Sequence, residues 1–294
     1  MSQVVFVLTP QVHLLDLAGP AQVFSSAPGY HLRYVAEASP VPTWQGVGLQ
    51  ADLDWPALTP GDLVLVPGWR DGHGYFAPET LERIAAHHAA GGTVASVCAG
   101  ADALGRAGLL DGRRCTTHHD LQDRLARRHP AATVVRDVLY VVDDRVVTSA
   151  GIASGIDLAL HLVALRHGPA VAARVAREMV VYARRNGDER QHSAMLRHRA
   201  HLSDVVHRVQ DRIDAAFAEP LRLADLAAGA GVSERTLTRL FTAATGRTPL
   251  RYQQVLRVER AEYLIGHGST MEAAARAVGF GDARMLRRLR ARTL

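Results

Sequence analysis

The stretch LAAGAGVSERTLTRLF at 226–241 is repeated in outline by AAARAVGFGDARMLRRLR at 273–290. Each copy has an apolar helical segment, a glycine turn and then a short polar residue, Ser233 in the first and Asp282 in the second. A side-chain oxygen at this position accepts from the unpaired amides at the start of the next helix. Two helices joined by a glycine turn, with arginines on the second, form a helix-turn-helix. The sequence therefore predicts two such motifs and DNA binding.

The distribution of charge supports this prediction independently. All 34 basic residues are arginine, and the formal net charge is +5. Residues 1–202 contain 19 Arg and 19 acidic residues, whereas residues 203–294 contain 15 Arg and 10 acidic residues. The whole excess thus lies with the repeated motif. Because phosphate contacts supply most sequence-independent affinity for DNA, the excess favours a double-stranded DNA partner.

The bulk composition limits the remaining possibilities. A chain of 294 residues is long enough for two domains, each with its own core. Neither a secretory signal nor an apolar run of about 20 residues is present, which argues against a membrane partner. Two cysteines, Cys98 and Cys115, are too few for a disulfide framework. We expect a cytoplasmic protein.

The first 183 residues alternate between strand-like and helical patterns, which predicts an α/β domain with a mostly parallel sheet. A charged, turn-rich linker is predicted at 184–203, followed by an all-helical domain at 204–294. The clearest predicted strands are 4–8, 62–66, 93–97 and 138–142, and the clearest helices are 15–25, 78–88, 101–107, 156–165, 205–217 and 250–265.

One turn between a strand and a helix contains a candidate nucleophile. The strand at 93–97 is followed by the small-residue turn Cys98-Ala99-Gly100 and then by a helix. This elbow exposes a nucleophile at a helix N-terminus, where the dipole and free amides lower the pKa of a thiol. The same sequence pattern is also expected for a cysteine that is buried in the core and has only a structural role. Both interpretations of Cys98 remain open at this point.

Asp16 and His118 are the candidate partners of Cys98, although spacing alone does not bring them together. A direct role for a single histidine is less common than a surface or core role. The other histidines lack metal-site spacing, and the chain contains no phosphate-binding glycine fingerprint. We therefore predict no metal and no cofactor.

Taken together, several motifs resemble known families. The segments LLDLAGP at 14–20, VPG at 66–68, SVCAGA at 96–101, AGLLDGRR at 107–114, TTH at 116–118 and TSAGIASGID at 148–157 resemble the PfpI-like domain of the class I glutamine amidotransferase-like fold. GRTP at 246–249 and GFG at 279–281 resemble the AraC-type DNA-binding domain. In this order they are similar to the GlxA family of bacterial transcriptional regulators.

This resemblance implies a flavodoxin-like parallel-sheet domain that senses a small molecule, such as an amino acid or another nitrogenous metabolite, and forms a homodimer. It also implies an operator in double-stranded DNA and contact with RNA polymerase. The implied ligand pocket consists of Asp16, Gly68, Trp69, Cys98, Ala99 and His118. Two of these depart from the family pattern. Ala99 replaces the histidine of hydrolytic relatives, and Trp69 replaces a glycine and should crowd the pocket mouth.

The resemblance assigns DNA reading to the exposed positions of the two recognition helices. Arginine suits a bidentate contact to guanine, and methionine suits an apolar contact with a thymine methyl group. Contacts to phosphate are the alternative for any single arginine. The assigned positions are Arg235, Thr238 and Arg239 in the first motif and Arg284, Met285, Arg287 and Arg288 in the second.

The second motif ends early, at Leu294, and has Arg290 where the first has Phe241. Because a core aromatic contributes about 3 to 5 kcal/mol, we expect its recognition helix to be poorly packed and frayed. Its arginines, including Arg290 and Arg292, would then serve mainly to attract phosphate.

The leading hypothesis is a DNA-binding regulator without enzymatic activity, in which Cys98, Asp16 and His118 are a vestigial catalytic site. The main alternative is an isonitrile-hydratase-like or amidase-like enzyme that uses Cys98 and has an appended DNA-binding domain. A bare interaction scaffold is a third hypothesis.

Overall fold

The computed structural model of the protein describes residues 1–70, 76–181, 187–188, 191, 201, 203–266 and 268–291. It divides into two compact units, Met1–Gln191 and His192–Leu294. Most of the predicted linker at 184–203, together with Arg292, lies outside the described residues. Within the described residues, no helix combines the length and the apolar character needed to cross a membrane.

A six-stranded sheet forms the centre of the first unit. Its strand order is β2-β1-β5-β6-β10-β9, and β9 is the one antiparallel strand of this sheet. Two short two-stranded sheets pair β3 with β4 and β7 with β8. The strands are β1 (Ser2–Leu8), β2 (Tyr30–Ala36), β3 (Val41–Pro42), β4 (Gly48–Leu49), β5 (Leu63–Val66), β6 (Thr93–Val97), β7 (Arg114–Cys115), β8 (Thr133–Val134), β9 (Tyr140–Asp143) and β10 (Val146–Ser149).

Helices cover both faces of this sheet, so its central strands are buried on both sides. Alternate residues of β1 enter two different cores: Val4 and Phe6 lie in one, and Val5 and Val7 in the other. This period of two is the expected pleat of a strand. The helices are α1 (Leu14–Ser26), α2 (Pro78–Ala89), α3 (Gly100–Arg106), α4 (Gln122–Arg128), α5 (Ser154–His167) and α6 (Pro169–Glu178), with a 3₁₀ turn at His119–Leu121.

The predicted α/β fold with a mostly parallel sheet is confirmed. The four clearest predicted strands correspond to β1, β5, β6 and β9, with shifts of one or two residues at some ends. The sequence did not single out β2 or β10. Strand β10 is only four residues long, and β2 is an edge strand whose residues are mostly only partly buried, so neither has a strong apolar pattern.

The second unit is entirely helical among its described residues. Its helices are α7 (Asp204–Ala215), α8 (Leu223–Gly229), α9 (Glu234–Thr245), α10 (Pro249–Gly266), α11 (Met271–Ala277) and α12 (Ala283–Arg290). Helices α8 and α9 form the first helix-turn-helix, and α11 and α12 form the second. Helix α10 connects them, as its predicted span at 250–265 indicated.

Each motif has its own core. Leu237, Phe241 and Tyr252 are fully buried in the first core, where the two aromatic rings pack edge to face at 5.6 Å. The second core is built around Leu286 and Leu289 of α12, with small alanines and Phe280 from the preceding segment.

The second core corrects the expectation of a poorly packed helix α12. The leucine one position before Arg290, Leu289, is only 4% exposed and occupies the core. Arg290 lies beside it and forms an ion pair with Glu262 of α10 at 3.5 Å. The aromatic ring comes from the turn, at Phe280, rather than from the recognition helix. The core aromatic residue of the second motif therefore does not lie at the same offset from the cap as that of the first.

Candidate functional site: a buried acid beside a thiol and two recognition helices

Cys98 occupies the predicted elbow between β6 and α3. Its φ of 54° is in the left-handed region, which a residue with a side chain seldom adopts. Two glycines make this conformation possible. A Cβ on Gly100 would lie 2.1 Å from the Val66 carbonyl oxygen, and one on Gly151 would lie 2.9 Å from Cys98 Sγ. The elbow therefore depends on small residues on both sides of the thiol.

Asp16 lies in the first turn of α1 and is fully buried beside Cys98. Its Oδ1 accepts from the amide of Ile152 at 2.8 Å, and Oδ2 faces Gly68, where a Cβ would lie 2.4 Å away. Burial raises the pKa of the Asp16 carboxyl above its usual value, although the Ile152 amide and His13 act in the opposite direction. The chain thus holds a carboxyl next to the thiol at an energetic cost.

The environment of Cys98 does not lower its pKa, which favours the interpretation as a buried structural cysteine. Burial raises the pKa of the thiol strongly, and the negative charge of Asp16 raises it further. The amide of Ala99 and the charge of Arg70 lower it, but less. Desolvation outweighs the short helix that follows the elbow. The thiol is therefore neutral at neutral pH.

Gly68, Trp69 and Ala99 lie near Asp16 and Cys98. The Gly68 carbonyl accepts from the His13 amide at 2.9 Å and so ties the β5 loop to α1. The Trp69 side chain is buried and packs edge to face on Phe76 at 5.6 Å. Trp69 and Ala99 both border a small, partly open space on the α4 side, with a volume of about 20 Å³. The indole therefore forms part of the wall of this space.

His118 is placed at the edge of this region. The neighbouring Thr117 donates its hydroxyl to the Cys98 carbonyl oxygen at 2.6 Å. The His118 ring packs on His119 at 4.0 Å, and its Nδ1 lies 3.7 Å from an Asp120 carboxylate oxygen. These three consecutive residues place ligand atoms within 4.8 Å of one another, as a metal site would. These ligand atoms belong to consecutive residues, so no metal-site spacing in the sequence indicates them.

The first recognition helix, α9, presents the predicted residues on one open face. Ser233 caps it as predicted, because its hydroxyl accepts from the Thr236 amide at 3.2 Å. Arg235, Thr238 and Arg239 line one groove, and both arginines are exposed. Spacings of three and four residues bring side chains to the same side of a helix. This face can enter a major groove.

The second recognition helix, α12, has a similar face. The Asp282 carboxylate caps it by accepting from the amides of Arg284 and Met285 at 2.8 and 3.1 Å. Arg284, Met285 and Arg288 line a groove of about 620 Å³ between α12 and the start of α10.

Arg287 of α12 has a different environment. Its guanidinium forms an ion pair with Glu272 of α11 at 3.3 Å, and both side chains are exposed. The sequence pattern predicts that Arg287 is exposed, but it does not predict the direction of its side chain. The prediction therefore placed Arg287 with the DNA-reading arginines.

Comparisons with known proteins agree with this arrangement. The model of the DJ-1/PfpI family matches residues 2–165, and a helix-turn-helix domain model matches residues 226–294. The regulator CdhR of Pseudomonas aeruginosa is 28% identical over 230 residues, which cover 78% of this chain and 68% of that protein. The regulator GbdR of P. aeruginosa is 31% identical over 231 residues, covering 76% of this chain and 61% of that protein. Isonitrile hydratase of Pseudomonas putida is 37% identical over 165 residues, covering 54% of this chain and 70% of the enzyme.

Proposed function

This chain belongs to the DJ-1/PfpI family and carries an AraC-type helix-turn-helix domain, and we propose that it is a sequence-specific transcriptional regulator. The observation that carries the proposal is the pair of capped, exposed faces on α9 and α12. Each face bears two arginines suited to a DNA groove, and each helix rests on its own buried core. The relatives that match across both domains are also regulators.

We assign base reading to Arg235, Thr238 and Arg239 of α9 and to Arg284, Met285 and Arg288 of α12. Arg287 is left with an electrostatic role because it is paired with Glu272. An exposed ion pair contributes little to stability, so this arginine still adds to the positive field that attracts phosphate.

In the first unit, we propose that the group formed by Asp16, Gly68 and Cys98 detects a small polar metabolite. A buried carboxyl beside a neutral thiol suits a ligand that donates hydrogen bonds, and an amino acid or another nitrogenous metabolite has such donors. We include Trp69 in this site because its buried indole borders the small space on the α4 side. We also include Ala99, which borders this space, and His118, which follows Thr117, whose hydroxyl donates to the Cys98 carbonyl oxygen.

We further propose that the α/β domain predicted at residues 1–183 joins two copies of the chain, and that the homodimer contacts RNA polymerase when bound to its operator. A two-fold dimer reads two half-sites separated by whole helical turns. Sedimentation with footprinting tests this proposal. A monomer that protects one isolated half-site would contradict it.

Thermal shift with a metabolite panel tests the sensing proposal. A ligand at 100 times its Kd stabilises the folded state by about 2.7 kcal/mol. The shift should be lost in Asp16→Ala and retained in the control Asp143→Ala, which changes a carboxylate of β9 that pairs with Arg113. Equal shifts in the wild type and Asp16→Ala would place the pocket elsewhere.

A second candidate function is an enzyme that uses Cys98, and the match to isonitrile hydratase together with the adjacent Asp16 favours it. Ala99 supplies no acid or base, and the raised pKa of the thiol keeps it in the less nucleophilic form. Turnover of an isonitrile by the purified chain that disappears in Cys98→Ser would establish this function. No turnover above the Cys98→Ser background is the expected result.

A further inference from the structure

Arg257, in the middle of α10, bonds to backbone from both halves of the DNA-binding unit. Its Nε donates to the Phe217 carbonyl at 2.6 Å and Nη2 donates to the Glu219 carbonyl at 2.8 Å, both in the turn between α7 and α8. Its Nη1 donates to the Gly279 carbonyl at 3.0 Å, in the turn of the second motif. One guanidinium therefore ties the first motif's supporting turn to the second motif's turn.

Gln253, one helical turn earlier, reinforces the first of these attachments. Its amide nitrogen donates to the Phe217 and Glu219 carbonyls at 2.9 and 2.8 Å. On the other side, the Arg257 guanidinium lies over the Phe280 ring at 5.5 Å. We call Arg257, Gln253 and the three carbonyls that they contact the Arg257 clasp.

The two turns also touch directly. Gly279 has a φ of +81°, and a Cβ on it would lie 1.8 Å from the Ala218 carbonyl oxygen. Only glycine permits this approach of two backbones. The Phe217 side chain packs against both motif cores. The second motif is thus seated on the turn at 216–220, and the clasp holds it there.

We propose that Arg257 is a positioning residue that fixes the distance and angle between recognition helices α9 and α12. The protein then reads a DNA site made of two segments with one permitted spacing. This inference rests on the proposed DNA binding. Directional hydrogen bonds from the planar, charged guanidinium restrict rotation of one motif relative to the other more than apolar contacts do. The ammonium group of lysine cannot reproduce this geometry.

The test varies the spacing in the DNA and the clasp in the protein. Duplexes that the full-length wild type enriches from a random-sequence pool supply the probe, and footprinting locates its two protected segments. One base pair is then inserted between the segments, which shifts the distal segment and rotates it by about a tenth of a turn. Anisotropy titration measures affinity for the original and the inserted duplex.

With the clasp intact, the insertion should reduce affinity about tenfold or more, comparable to the loss of one correct base pair. In Arg257→Lys, which keeps the charge, affinity for the original duplex should fall and the insertion penalty should shrink below about threefold. Arg260→Ala is the control on the same helix, since the exposed Arg260 packs over Tyr263 at 4.7 Å and lies outside the clasp. It should keep the full insertion penalty.

Three results would overturn the proposal while leaving DNA binding intact: a wild type that tolerates the insertion, a wild-type site with one protected segment, or an unchanged penalty in Arg257→Lys. Failure to enrich any sequence would instead refute the proposed function. If Arg257→Lys does not fold by circular dichroism, Gln253→Leu replaces it and should relax the penalty partially. Unfolding of both variants would also overturn the proposal, because the clasp would then serve folding and not spacing.

Discussion

Leu286→Ala should selectively destabilise the second helix-turn-helix. The side chain is fully buried, so its truncation loses the transfer free energy of three carbons, at about 0.8 kcal/mol each. Its neighbours in the core include Ala274, Ala275 and Ala283, whose methyl side chains are too short to fill the gap. A residual cavity therefore adds to the loss, and the total should be about 3 to 4 kcal/mol.

Hydrogen exchange of the free protein, read peptide by peptide, measures this effect. Protection across α12 should fall in Leu286→Ala while α9, which rests on Phe241 and Tyr252, keeps most of its protection. Arg284→Ala, an exposed change on the same helix, should leave both helices within about 0.5 kcal/mol of the wild type. Equal loss of protection in α9 and α12 would refute the separation of the cores. Wild-type α12 without protection would restore the expectation of a frayed helix.

Three further predictions concern the two sites. Arg239→Ala should cost about 1 to 3 kcal/mol at the selected DNA site and relax the preference at one base pair, whereas equal weakening on all sequences would assign Arg239 to phosphate. Alkylation of Cys98 by iodoacetamide should be slow at neutral pH and rise only under alkaline conditions, and Asp16→Asn should move the rate profile to lower pH; rapid alkylation of the wild type at pH 7 would contradict the raised pKa. Because the folded-state pKa of Asp16 is raised, the wild type should lose stability as pH rises from about 4 through that value. Urea unfolding should show a smaller loss in Asp16→Asn, and identical pH dependence in the two proteins would count against the buried carboxyl.

Local patterns were enough to predict much of the architecture. The apolar strands β1, β5 and β6 are central and buried on both faces, so their composition alone marks them. The caps Ser233 and Asp282 act through amides two or three residues away, which is why their position in the sequence predicts them.

Features that depend on distant residues were less predictable. The pKa of Cys98 is set by burial and by Asp16, and Asp16 is placed by the Ile152 amide from a loop 136 positions away along the chain. The packing of α12 depends on Phe280 entering the core from a turn, which a comparison of fixed offsets does not consider. Arg257 has no motif of its own, because its partners are backbone carbonyls and any sequence supplies them.

Competition between a selected and a scrambled duplex tests the central claim most directly. Anisotropy titrations with the full-length protein, repeated between about 50 and 200 mM salt, separate base reading from attraction to phosphate. The selected duplex should bind at least about 10³ times more tightly than the scrambled one, and both affinities should fall steeply with salt. Equal affinity for the two duplexes at every salt concentration would contradict sequence-specific regulation by this chain.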